Sequence, residues 1–179
     1  AILDASDLTI SDTEAGFSGG GLYLDDATVT LSDFELNNAR GDETWGAGIY
    51  AHTSFLSIEN GLITDCEALD YISGYEGGAI RATSSSELDF FNVRIEKSSA
   101  YSGGGLSISS STIATLSDFS ASNNLATNTA GTARGGALHV GASAEAICLN
   151  CSFEQNIADL GGAVAVEAGG LFSDEGGLY

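Results

Sequence analysis

Residues 77–96 read GGAIRATSSSELDFFNVRIE. Two glycines and a small residue precede an aliphatic one, and short alternating runs follow. The same preface occurs six times: Gly19-Gly20-Gly21-Leu22, Gly46-Ala47-Gly48-Ile49, Gly77-Gly78-Ala79-Ile80, Gly103-Gly104-Gly105-Leu106, Gly135-Gly136-Ala137-Leu138 and Gly161-Gly162-Ala163-Val164. From aliphatic to aliphatic the steps are 27, 31, 26, 32 and 26 residues. Self-similarity at this period marks a solenoid, in which one supersecondary unit stacks on the next.

A second position locks to the first. Phe34, Leu62, Val93 and Phe119 lie 12 or 13 residues after their aliphatic anchors, and Phe153 lies 15 after its own. A polar residue follows three later at Asn37, Asp65, Glu96, Ser122 and Asn156. Between the anchors run stretches such as Ala27-Thr28-Val29-Thr30-Leu31 and Ser111-Thr112-Ile113-Ala114-Thr115-Leu116. Short β-branched runs bounded by Ser, Asp and Gly read as strands, and no helical period competes with them. The chain therefore reads as all-β, a parallel β-helix of about six coils forming one segment, residues 1–179. Adjacent coils stack at about 4.8 Å. Leu22, Ile49, Ile80, Leu106, Leu138 and Val164 form one expected interior column. Phe34, Leu62, Val93, Phe119 and Phe153 form another. The glycines serve a sharp corner that other residues resist, and the Asn and Ser positions serve the next corner through side-chain bonds to local backbone.

At these residues the chain resembles the chlamydial polymorphic outer membrane protein repeat, in which GGA-aliphatic alternates with F-x-x-N. The matching stretches are Gly77 to Ile80, Gly135 to Leu138, Gly161 to Val164, Phe34 to Asn37 and Phe153 to Asn156. The resemblance covers roughly residues 17–166. It implies a right-handed parallel β-helix on a cell surface, with an adhesive or structural role.

Composition narrows the function. Asp and Glu number 25 against 5 Lys and Arg, for a net charge of −20. Phosphate binding needs a basic patch, which argues against nucleic acid. Pectin-like polyanions are repelled unless cations bridge them. No apolar run reaches the roughly 18–20 residues of a membrane span. The opening Ala1-Ile2-Leu3, without methionine, reads as a processed product or a piece of a longer chain. Gly176-Gly177-Leu178-Tyr179 echoes Gly20-Gly21-Leu22-Tyr23 only 14 residues after Val164, which leaves the course of residues 165–179 open. Neither end carries the polar cap a solenoid needs, so more chain or a stacked partner is expected there.

Several residues are candidates for a site. Phe17, Trp45, Tyr75 and Tyr101 lie four or five residues before their anchors, with Leu160 in the last such slot. They form an expected ladder along one edge, serving as packing or as a platform for sugar rings or a partner protein. The longer coils place extra residues near Glu67–Glu76 and Leu125–Arg134, on one side of the rod, where loops on a rigid scaffold carry recognition. Cys148 and Cys151 are spaced for a local disulfide or for two buried thiols, and Cys66 stands alone. Asn150-Cys151-Ser152 is a glycosylation sequon at Asn150. Asp25-Asp26, Asp42-Glu43 and Asp174-Glu175 offer few of the oxygens calcium requires, so no metal or cofactor is expected beyond weak surface calcium.

Catalysis finds little support. Arg94-Ile95-Glu96, His52 and His139 lack the context of a polysaccharide-cleaving motif, His139 is expected to point outward from its strand, and no G-x-S-x-G accompanies a serine. Ice binding would need a threonine array, and Thr28-Val29-Thr30 does not recur in register. The reading is an extracellular, non-enzymatic module: a rigid acidic rod for structure or adhesion, with protein subunits or surface glycans as partners within a larger assembly. The alternative is a carbohydrate-binding or polysaccharide-degrading β-helix.

Overall fold

The computed structural model describes residues 1–42, 45–68, 74–128 and 131–175. Among them every strand pairs in parallel with its equivalent one coil away. No described helix is long and apolar enough to cross a membrane. One sheet stacks six short strands: Leu22–Asp25, Ile49–His52, Ile80–Thr83, Leu106–Ile108, Leu138–Val140 and Val164–Val166. The other is a 13-stranded sheet whose longest members are Thr28–Gly41, Phe55–Thr64 and Glu87–Glu96.

Alternation of apolar and polar residues decides what faces inward. Leu22 pairs with Ile49, then Ile80, Leu106, Leu138 and Val164, so the first interior column stands as expected. Leu31, Leu56, Ile58, Leu88, Phe90, Ile95 and Leu116 complete the buried core with it.

The second expected column is corrected in two places. Phe34 pairs with Gly61, and Gly61 with Val93, whereas Leu62 pairs with Glu35 and Arg94 and turns away from the core. A slip of one residue reverses a strand's face. Gly61 holds the inward slot because the Ile58 side chain already fills it: a Cβ there would meet Ile58 Cγ2 at 2.6 Å. Phe153 pairs with Ala121, two residues beyond Phe119, which keeps it inward. Its ring centroid sits 6.2 Å from that of Phe119.

The corners carry the left-handed residues. Gly19, Gly46, Gly77, Gly103, Gly135 and Gly161 all have φ between 60° and 75°. At Gly77 a Cβ would drive into the Ile80 carbonyl. A second left-handed corner follows the short strands at Asp26, Thr53, Ser84, Ser85, Ser110, Ser111 and Ser143. Two more take mostly Asp and Asn, whose short polar side chains tolerate this conformation: one is Asp7, Asp33, Asn60, Asn92, Asp118 and Asn150, and the other Asp12, Asn38, Asp65, Lys97, Asn123 and Gln155. Their amides bond up the stack: Asn92 Nδ2 donates to Asn60 Oδ1 at 2.8 Å, and Asn38 Nδ2 to Asp12 Oδ1 at 2.7 Å. Of the five polar positions three residues after the second anchor, whose Asn and Ser members were expected in a corner, only Asp65 lies at a left-handed one. Asn37, Glu96 and Ser122 are strand residues. Asn156 belongs to an inner ladder, where Ser98 N–H donates to Asn124 Oδ1 at 3.0 Å and Asn124 N–H to Asn156 Oδ1 at 2.9 Å. That ladder satisfies backbone donors turned inward at the bend.

The close approach of successive coils is testable. A Cβ on Gly78 would drive into the Gly104 carbonyl oxygen of the next coil and meet Ser99 N at 2.6 Å and Ser99 O at 2.7 Å, all of them backbone atoms. Gly78→Ala is expected to cost about 3 kcal/mol of stability and to lower the midpoint of thermal unfolding followed by circular dichroism. Gly16→Ala, where the new Cβ has nothing within 4 Å, is expected to leave the midpoint nearly unchanged.

Candidate functional site

Residues one place after each aliphatic anchor point outward and form a column on the short-strand sheet: Tyr23, Tyr50, Arg81, Ser107, His139 and Ala165. His139 points outward as expected, yet it is only 3 % exposed. A flanking outward column holds Asp25, His52 and Thr83. A wall rises beside them from the residues just before the left-handed glycines, among them Trp45, Glu76 and Arg134. Gly46, Gly77 and Gly135 reverse the chain there and leave these side chains beside the sheet.

The face has two halves. The first is aromatic. Tyr23 and Tyr50 stack with ring centroids 5.6 Å apart and planes at 23°. Trp45 lies 6.1 Å from Tyr50 and 6.3 Å from Tyr75, and Tyr50 stacks in turn on His52. These spacings fall in the range where rings attract one another. Tyr23 is 58 % and Trp45 45 % exposed, while Tyr50 is buried beneath them. Burial pushes the Tyr50 hydroxyl up, against the opposing charge of Arg81. His52 Nδ1 lies 2.8 Å from Asp25 Oδ1 at the edge of this half.

The second half is an ion network under cover. Glu76 Oε2 is 2.7 Å from Arg81 Nη1 and accepts from Ser107 Oγ at 2.9 Å. Arg81 donates to Ser107 Oγ and Ser109 Oγ, both at 2.7 Å. His139 Nδ1 lies 3.3 Å from Ser107 Oγ and 3.7 Å from Glu76 Oε2. Its Nε2 sits 3.4 Å from Glu167 Oε1 without hydrogen-bond geometry, and Arg134 Nη1 approaches the same oxygen at 3.7 Å. Burial alone would raise the Glu76 carboxyl. The close approach of His139, the charge of Arg81 and the Ser107 hydroxyl outweigh it and hold the group below its ordinary value.

The expected aromatic ladder is therefore corrected. Trp45 pairs with Ser18, not Phe17, and Leu160 pairs with Arg134. Tyr101 N–H bonds the Tyr75 carbonyl, one position out of step with Trp45. The structure gathers Trp45 and Tyr75 with Tyr23 and Tyr50, which the sequence reading had not singled out. Phe17 stands apart, 80 % exposed. Glu76, Arg81, Ser107 and Glu167 were also missed. The signal for Arg81 and Ser107 was available: alternation sends the residue after each aliphatic anchor outward, into one column.

The remaining candidates fall elsewhere. Cys148 and Cys151 form a disulfide with a Cα–Cα separation of 5.7 Å, and Cys66 is a buried free thiol. Asn150 is exposed between them and donates to Asp118 Oδ1 at 2.5 Å. Of the acidic pairs, Asp25 is engaged by His52, and Glu43 lies outside the described residues, as do parts of both longer loops and residues 176–179. No group of three or more His, Cys, Asp or Glu among the described residues is placed to hold a metal ion.

A family model for the right-handed β-helix region matches residues 1–173. Comparison with curated proteins and with solved structures found no match.

Two measurements test the local chemistry. Because the Glu76 carboxyl is held below 4.5, its contribution to stability is complete above that pH and is lost as pH falls through the lowered value. Glu76→Gln is expected to cost about 3 kcal/mol near neutrality, since it strands Arg81. The gap to the parent chain should close in denaturant titrations as the pH is taken below 4.5. Burial pushes the Cys66 thiol up to about 12. Mass spectrometry should find Cys66 unmodified by iodoacetamide in the native chain at about pH 8 and alkylated after unfolding, because only the thiolate reacts.

Proposed function

The chain belongs to the right-handed β-helix family, and from that premise we propose that it is an extracellular adhesive module, a rigid acidic rod that attaches to surface glycans. The observation that carries this reading is the ring cluster of Tyr23, Tyr50, Trp45 and Tyr75 at one end of the short-strand sheet. Rings presented at the surface of a rigid sheet, with a few polar groups at the margin, suit the apolar faces of sugars. Ladder hydrogen bonds and the buried columns hold the rings in place before a ligand arrives, which lowers the ordering cost of binding.

The Cys148–Cys151 disulfide supports an extracellular setting, because oxidising compartments preserve such bonds. The repeat is read as the polymorphic outer membrane type on its GGA-aliphatic prefaces and the Phe153 to Asn156 stretch. The role proposed is binding without catalysis and needs no cofactor. Glu76 and Glu167, the carboxylates beside the buried network, are engaged by Arg81, His139 and Arg134, which leaves neither set up as a free acid or base.

A glycan array probed with the labelled chain tests the proposal. Tyr23→Ala and Trp45→Ala are each expected to weaken binding at least about tenfold, as loss of an aromatic anchor does, with an unchanged far-ultraviolet circular dichroism spectrum. Binding that persists unchanged in both variants would remove the ring cluster as the site.

A further inference from the structure

We infer that the ligand of this face is an uncharged polysaccharide, a conclusion that rests on the glycan reading above. The face holds cations at Arg81 and Arg134, yet each is matched by a carboxylate. Arg81 faces Glu76 at 2.7 Å, Arg134 faces Glu167 at 3.7 Å, and His52 meets Asp25 at 2.8 Å. Arg81 is further committed, since its two terminal nitrogens donate to Ser107 and Ser109. Bidentate recognition of a sugar carboxylate or sulfate would need that fork free.

The other basic residues lie away from the rings. Arg40 and Arg94 belong to the 13-stranded sheet, and Lys97 to one of its corners. Arg94 is paired with Glu96 at 3.0 Å. An anionic chain laid along the rings would therefore meet Asp25, Glu76 and Glu167 without a spare cation, on a protein of net charge −20. Like charges brought together in this way oppose binding. A neutral chain meets no such opposition. Its ring faces stack on Tyr23 and Trp45, and its hydroxyls donate to the Asp25 carboxylate, whose side chain is 56 % exposed.

Affinity electrophoresis of the intact chain tests this, with neutral glucan, mannan and galactan in separate gels beside polygalacturonate and a sulfated galactan. The expected result is retardation by at least one neutral polymer, insensitive to salt over the range that screens surface charge. Neither anionic polymer should retard the chain at low salt. Tyr23→Ala with Trp45→Ala should abolish the retardation. Equal or stronger retardation by polygalacturonate or the sulfated polymer, lost in the same double variant, overturns the inference on charge and leaves the glycan reading standing. Retardation by none of the polymers overturns both.

Discussion

Everything in this molecule depends on parallel pairing between equivalent residues of successive coils. The ladder fixes the rise per coil at about 4.8 Å, so whatever occupies a position must fit against its counterparts above and below. Strands meet this demand easily. Corners do not, because the chain must turn within one or two residues and still keep register. The solution is a left-handed residue at each corner, drawn from glycine where the backbones press together and from aspartate or asparagine at most of the others. Asparagine adds a side-chain bond along the stack, and the inner Ser98–Asn124–Asn156 ladder satisfies donors that the bend turns inward. A closed coil of short strands thus becomes a rod with a continuous apolar core.

The same constraint builds the outer face. Columns that are uniform inside need not be uniform outside, since outward residues are free of core packing. On the short-strand sheet one column passes from tyrosine to arginine, serine and histidine. Neighbouring coils thereby place rings beside an ion network. Burial of that network is tolerable because its charges are matched and hydrogen-bonded, and removing one partner from such a group is costly. Glu76 is central, since it reaches Arg81, Ser107 and His139 at once. The network anchors the wall before the third glycine corner and ends the aromatic surface at a fixed boundary.

Much of this was legible in the chain. The glycine prefaces located six corners, and the aliphatic residue after each one named an interior column that pairs as expected. The second column was legible only in part. Spacing alone could not distinguish Gly61 from Leu62, because the apolar residue looks like the anchor while the glycine takes the inward slot. The aromatic residues before the prefaces looked like one ladder, yet a difference of a single position separates Trp45 from Phe17, Tyr75 and Tyr101 in register. Counting to a motif carries an error of one residue, and in a strand one residue is the difference between two faces.

The sequence by itself determined the solenoid, its coil length and the residues of its first core column, because periodic glycine and aliphatic positions leave few other ways to bury the apolar surface. The tertiary structure decided which outward residues meet. Tyr23 and Tyr50 each follow an aliphatic anchor and share a column the repeat implies, but Glu76 and His139 are 63 positions apart, with no repeat position joining them. Two coil lengths, 26 to 27 and 31 to 32 residues, alternate through most of the chain, and only closure of each coil fixes where the extra residues go. The ring cluster and the ion network follow from that closure, since side chains on different coils become neighbours only when the backbone ladder brings them into register.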